Sequence, residues 1–81
     1  MSTATVQLFA SYAEIFGAPQ IRIPLPDVAC VSDVVTAVRA QPGGNLLAGE
    51  VKVAVNQRFA DPGDRVTARD EIALIPPVAG G

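Results

Sequence analysis

The chain closes on two glycines, Gly80 and Gly81, behind the segment Pro76-Pro77-Val78-Ala79. With average glycine usage near 7%, a terminal pair arises by chance in roughly 0.5% of chains. Pro-Pro favours extended polyproline geometry, so residues 78–81 are expected to project from a domain spanning residues 1–77 as a flexible Gly-Gly tail. Such a tail can thread a narrow channel in another protein, because glycine carries no side chain to obstruct it. That arrangement suits chemistry on the α-carboxylate itself: Gly81 is the candidate reacting residue, and Gly80 serves the threading.

The remaining residue types offer little conventional catalysis. Among the 81 residues there is no His and one Cys. That removes imidazole as base, triad member or metal ligand, and removes zinc clusters and CxxC redox motifs. No metal site is expected. Cys30 stands without His or Cys company and reads as a small buried hydrophobe. Asp61, Asp64, Asp70 and Glu71 lack the spacing of a calcium loop and read as solvated turn charges. Gly43-Gly44 follows a helical pattern instead of opening one, so it is a helix stop and not a phosphate loop.

Composition bounds the context. Hydrophobic residues make up 49% of the chain and charged ones 17%, too apolar a mixture for disorder. Six basic against eight acidic residues give a net charge of −2, so neither nucleic acid nor an anionic membrane is an expected partner. Apolar runs fall short of the ~18 residues of a membrane span. The start, Met1-Ser2-Thr3-Ala4-Thr5, lacks a secretion signal, and a single cysteine fits a reducing cytoplasm.

The elements that must position the tail follow from periodicity. Thr5 to Ala10 alternates with Val6 and Leu8 on one face, predicting a strand. Gly17-Ala18-Pro19 turns the chain into a hairpin partner, where Ile21, Ile23 and Leu25 alternate with Gln20, Arg22 and Pro24. Pro24 donates no N–H, which places that strand at an edge. Val31, Val34, Val35 and Val38 repeat at i, i+3, i+4, i+7, an amphipathic helix with Ser32 and Asp33 near its start. Val51, Val53 and Val55 define a further strand, Asp61-Pro62-Gly63-Asp64 a reverse turn, and Glu71 to Ile75 a last strand stopped by Pro76-Pro77. One helix covers one sheet face, so the fold class is α+β: a roll with a mixed sheet of four to five strands and one main helix.

Strand parity makes a further suggestion. Phe9 and Ile75 point away from the face carrying Val6, Leu8, Ile72 and Leu74. With the helix on that latter face, Phe9, Ile75, Ala54 and Ala73 line the open side, and Phe59 can extend it. An apolar patch of this kind on a small domain marks a docking site.

The sequence resembles the ubiquitin-like sulfur-carrier family of MoaD and ThiS, most closely the small subunits of molybdopterin synthase. Leu8-Phe9-Ala10 through Glu14-Ile15-Phe16-Gly17 is similar to the family's opening Phe-Phe-Ala…Arg-Glu-Leu-x-Gly, and Val55-Asn56-Gln57 to its Val-Asn-Gln strand end. The most specific block is Asp70-Glu71-Ile72-Ala73-Leu74-Ile75-Pro76-Pro77-Val78-Ala79-Gly80-Gly81. It is similar to Asp-Glu-Val-Ala-Phe-Phe-Pro-Pro-Val-x-Gly-Gly. Ala13, Arg69 and Leu74-Ile75 depart from the pattern, where the family often has Arg, Gly and two Phe.

The resemblance implies a ubiquitin-like β-grasp fold and a subunit that is not catalytic alone. A MoeB-type adenylating enzyme, using ATP and Mg, would convert the Gly81 carboxylate to an acyl-adenylate. A persulfide sulfur would then replace AMP and leave a thiocarboxylate. The loaded tail would enter a large MoaE-type subunit, within a heterotetramer. There it would give sulfur to cyclic pyranopterin monophosphate, two transfers building the dithiolene of molybdopterin. No cofactor is implied on this chain. Phe9, Phe59, Ile75, Pro76, Pro77, Val78 and Ala79 would contact partners. The alternatives are a sulfur carrier for thiazole synthesis, a ubiquitin-like modifier joined through Gly81 to lysines, and a β-grasp binding module with an inert tail.

Overall fold

The computed structural model describes residues 2–47 and 49–76. Strand β1 (Ser2–Leu8) lies beside the last strand, β7 (Ile72–Ile75), and the two run parallel with Val6 opposite Ile72 and Leu8 opposite Leu74. Strand β2 (Gln20–Leu25) pairs antiparallel with β1 on its other side. Strand β4 (Lys52–Val55) pairs antiparallel with β7, and β5 (Arg58–Ala60) closes the sheet, giving the order β2-β1-β7-β4-β5. The expected mixed sheet of four to five strands thus has five, and Pro24 does sit on an edge strand. A second, two-stranded sheet joins β3 (Ala29–Cys30) to β6 (Arg65–Val66).

Helix α2 (Val31–Arg39) packs on one face of the main sheet, with Val31, Val34 and Val38 buried. Valine costs only a few tenths of a kcal/mol more than alanine in a helix, whereas burying one side chain contributes about 1.5–3 kcal/mol. Packing therefore decides this helix. The layer beneath is the inner face of the strands: Ala4, Val6, Leu8, Ile23, Leu25, Val53, Ile72 and Leu74 are all buried. No polar or charged side chain is buried among the described residues. This is the β-grasp arrangement, one main helix held in the concave face of a mixed sheet.

Several local expectations need correction. The first strand ends at Leu8, not Ala10; Phe9 is the N-cap of a second helix, α1 (Ala10–Phe16), whose Tyr12 is buried. Strands β1 and β2 are thus joined through α1 and not by a tight hairpin turn. Gly17, at φ 69°, ends that helix in the left-handed region that glycine adopts without strain. Beyond Val55 the chain forms a further strand that the sequence periodicity does not mark. Asn56 and Gln57 take φ 53° and 69°, the geometry of a two-residue type I′ hairpin turn, and β5 returns along β4. Cys30 is half-buried and caps α2 instead of filling the core: Asp33 reaches back so that its Oδ2 accepts from the Cys30 backbone N–H at 2.9 Å.

The turn at Asp61–Asp64 forms as expected, with the Asp64 N–H donating to the Asp61 carbonyl at 2.9 Å. Helix α2 ends at Arg39, ahead of the two glycines. Gly44 begins a short 3-10 turn (Gly44–Leu46) and lies against the helix end: a Cβ there would come within 2.4 Å of the Val38 carbonyl oxygen and 2.5 Å of the Arg39 carbonyl oxygen. Both obstacles are backbone. Gly44→Ala should therefore cost about 1–3 kcal/mol in urea unfolding, as for overpacked sites. Gly63→Ala, at a position with nothing within 4 Å, should stay within about 0.5 kcal/mol of the parent.

Candidate functional site

The face of the sheet opposite α2 carries the residues that strand parity assigns to it. On β4, Ala54 is flanked in register by Phe59 of β5 and Ala73 of β7. Phe9 follows directly on β1, and Ile75 lies one pleat beyond Ala73. Together these five residues line a depression of about 250 Å³, completed by Gln7, Gln57 and Glu71. The alanines leave room for the hollow, while Phe9 and Phe59 are 47% and 71% exposed at its margins. Two large aromatic side chains facing solvent across small residues form a surface that gains from being covered.

Sequence parity did not single out the polar members of this face, although it contains them: Gln7 shares a side with Phe9, and Glu71 with Ala73 and Ile75. An amide such as Gln7 on a strand exterior is ordinary, and Glu71 reads from the sequence as a solvated turn charge. The structure adds a clamp that fixes the Glu71 end of the face. The Asn56 backbone N–H donates to the Glu71 carbonyl at 2.8 Å, and the Glu71 N–H donates to Asn56 Oδ1 at 2.9 Å. Asn56 Nδ2 also donates to Asp70 Oδ1 at 3.0 Å, and Asp70 Oδ2 accepts from the Thr67 N–H at 2.7 Å. One asparagine therefore ties the β4–β5 turn to the turn that launches β7. The Thr67 N–H bond, followed by that from Asn56, holds the Asp70 carboxyl below its ordinary range.

At the other end of β7, Ile75 stands opposite Lys52, and Pro76, half-buried, follows the strand. Of the residues expected to act or to touch partners, Phe9, Phe59, Ile75 and Pro76 are thus gathered around the open face and its exit. Pro77, Val78, Ala79, Gly80 and Gly81 lie outside the described residues. Cys30 is on the helix layer, its Sγ 2.9 Å from Ser32 Oγ and 3.5 Å from Asp33 Oδ2, and takes no part in this face.

Comparison with known proteins now decides the family. Residues 6–81 match the ThiS family. The chain belongs to it. It is a ubiquitin-like sulfur-carrier protein of the ThiS/MoaD family. Small archaeal modifier protein 1 of Haloferax volcanii is 34% identical, over 93% of this chain and 97% of the relative. The molybdopterin synthase sulfur carrier subunit of Arabidopsis thaliana is 30% identical, over 94% of this chain and 80% of the relative. A crystal structure of the H. volcanii modifier superposes with a TM-score of 0.81 at 31% identity, covering 96% of this chain and all (100%) of that one. Among the described residues no helix is long and apolar enough to cross a membrane.

The Asp70 contacts make a pH prediction. A carboxylate whose folded pKa is lowered stabilises the fold above its unfolded pKa, near 3.9, and that stability is lost as pH falls through the folded value. The urea midpoint should decline from about pH 4 downward. Asp70→Asn should lower the midpoint at pH 7 and flatten that acid decline. An unchanged acid slope in the variant would assign the decline to other carboxyls.

Proposed function

We propose that this family member carries sulfur for molybdopterin synthesis as a thiocarboxylate on Gly81. The observation that carries the proposal is continuity: Ile75 lines the open apolar face, and Pro76 follows it at the exit toward Gly80-Gly81. A partner seated on that face holds the root of the tail. The family match, which runs through Gly81, supports the tail as the working end.

The chemistry follows from the inertness of a carboxylate. Its resonance and charge make it a poor electrophile, so a MoeB-type enzyme would first let a Gly81 carboxylate oxygen attack the α-phosphorus of ATP, expelling pyrophosphate. The acyl-adenylate has a good leaving group. A persulfide sulfur attacks the carbonyl carbon and expels AMP. A thiol then reduces the sulfur–sulfur bond of the acyl disulfide, becoming oxidised to a disulfide itself, and leaves the thiocarboxylate. In a MoaE-type large subunit that sulfur attacks the pterin precursor, and water cleaves the resulting thioester to return the Gly81 carboxylate. Two such transfers supply the two sulfurs of the dithiolene. Acids, bases and phosphate-binding cations come from the partners in this scheme. The chain's own contribution is a docking face and a slim reactive end. The Arabidopsis relative, a molybdopterin synthase sulfur carrier subunit, supports this reading.

A second reading has its own support, since the 34%-identical relative is an archaeal modifier protein. In it, attack on the acyl-adenylate leads to attachment of Gly81 to a lysine of a target. Both readings share the activation step and differ in the acceptor. Lysine-linked adducts in extracts would establish the modifier role, and conversion of the pterin precursor with purified large subunit the carrier role.

Incubation with activating enzyme, ATP and a sulfur source should replace one carboxylate oxygen by sulfur, and fragment mass spectrometry should place the change on Gly81. Cys30→Ser should load equally. A persulfide on Cys30 instead, lost under mild thiol reductant with Gly81 unmodified in an active preparation, would defeat the mechanism. Deleting Gly81 or extending the chain beyond it should abolish loading without changing the urea midpoint.

The docking face has a separate test. Phe9→Glu and Ile75→Glu should weaken partner binding by several kcal/mol, because an unpaired carboxylate is desolvated there, while lowering thermal stability little. Misfolding of both, with Leu74→Glu tolerated, would invert the assigned faces.

A further inference from the structure

On the helix side of the sheet, beyond the free edge of β5, lies a second and larger hollow of about 440 Å³. Its apolar lining comes from Val31 and Val35 of α2, Val51 and Val53 at β4, and Ala60 of β5. Val35, Val51 and Ala60 are half-buried and pack against the core from its rim. Here α2 and β5 do not close on one another. The rim is electrically mixed, Arg39 and Lys52 against Glu50 and Asp61, so the hollow favours no charged ligand.

Backbone register says what kind of ligand reaches it. The Asn56 N–H donates across to the Glu71 carbonyl, which turns the Asn56 backbone toward β7 in the phase of a hydrogen-bonded pair, although the return bond from the Glu71 N–H goes to the Asn56 side chain. Such pairs alternate, which makes Ala54 and Ala73 the next one and turns the Ala54 backbone groups toward β7. In the two-residue hairpin, Val55 and Arg58 flank the turn as the hydrogen-bonded pair, and Ala54 and Phe59 are the non-bonded pair. The Phe59 N–H and C=O therefore point out from the sheet at its open edge. β5 is the last strand in the order. An outward donor and acceptor on a strand edge, beside an apolar hollow under the same strand, match an added strand: its backbone bonds the edge, and alternate side chains drop beneath it.

We propose that the β5 edge and the hollow beside α2 form a second docking site, taking an extended segment of a partner protein with bulky apolar residues at alternate positions. The site is independent of the tail and goes beyond the sulfur-carrier reading. Phe59 lines both hollows, so a partner covering the open face can lay such a segment along β5 without a gap. This continuity favours a protein segment over a small apolar molecule, which would leave the edge groups unpaired.

The test uses the full, unmodified chain and a blocked seven-residue peptide, Ser-Val-Thr-Ile-Thr-Val-Ser, with a second copy methylated at both threonine nitrogens. In the expected register a threonine lies opposite Phe59, and the flanking Val and Ile enter the hollow. The parent peptide should shift the amide resonances of Val31, Val35 and Ala60 and slow hydrogen exchange at the Phe59 N–H about tenfold or more. The methylated peptide should bind at least about tenfold more weakly. Absence of binding at millimolar peptide overturns the proposal. So do equal binding of the methylated peptide and shifts confined to Phe9, Ala73 and Ile75. Sedimentation showing a dimer joined through β5 would make a second copy the occupant and overturn it equally.

Discussion

The parallel pairing of β1 with β7 is the contact on which the rest of the molecule rests. It brings the first and last strands of the chain together, with Val6 against Ile72 and Leu8 against Leu74. Closing a loop of that length costs a few kcal/mol of chain entropy, so the pair must be held by burial on both layers. Ile72 and Leu74 are fully covered by the helix layer, while Ala73 and Ile75 turn to the other side. β7 is also bonded on its far side by β4, so it is the central strand of five. The segment that leads to Gly80-Gly81 thus grows out of a strand anchored on both flanks. A reactive end built on a rigid support loses less entropy on docking than one built on a loop.

Much of this was legible because the signals were periodic. Alternation at Val6/Leu8, Ile23/Leu25 and Ile72/Leu74 assigns the inner face, and every one of those residues is buried. Their neighbours then belong to the outer face by parity, which groups Phe9, Ala54, Ala73 and Ile75, whereas Phe59 lies beyond the alternating segments and joins that face through the β4–β5 register. The four valines from Val31 to Val38 mark α2 for the same reason, since three of them meet the sheet.

The elements that escaped have physical excuses. Helix α1 starts from Phe9, which makes no side-chain cap hydrogen bond, so the usual Ser, Thr, Asp or Asn signal is missing. Its spacing at Tyr12, Ile15 and Phe16 and its terminal Gly17 were visible, but the strand alternation running into Ala10 competed with them. The β4–β5 hairpin turns on Asn56-Gln57, and glutamine at positive φ is not the glycine that announces a type I′ turn. Asn56 tolerates the conformation, and its hydrogen bonds to Glu71 and Asp70 reward it. Strands β3 and β6 are two residues each, too short for any period. Cys30 caps α2 through backbone and Asp33 geometry that residue type alone does not reveal.

Chain length sets the reach of the proposed chemistry. Residues 77–81 follow Pro76, and an extended residue spans at most about 3.6 Å. Gly81 can therefore lie at most ~18 Å from the exit at Pro76. Any active site that uses its carboxylate must open within that distance of the Ile75 end of the apolar face. The same partner cannot sit on the face and present its catalytic groups on a remote domain. In the proposed scheme the open face does more than supply affinity. By fixing the root of the tail, it turns the encounter of Gly81 with a reacting group into a nearly intramolecular event, with an effective concentration in the millimolar range for a short tether. If activating enzyme and sulfur acceptor both dock on that surface, as the proposed scheme has it, they exclude each other, and release from one precedes delivery to the next.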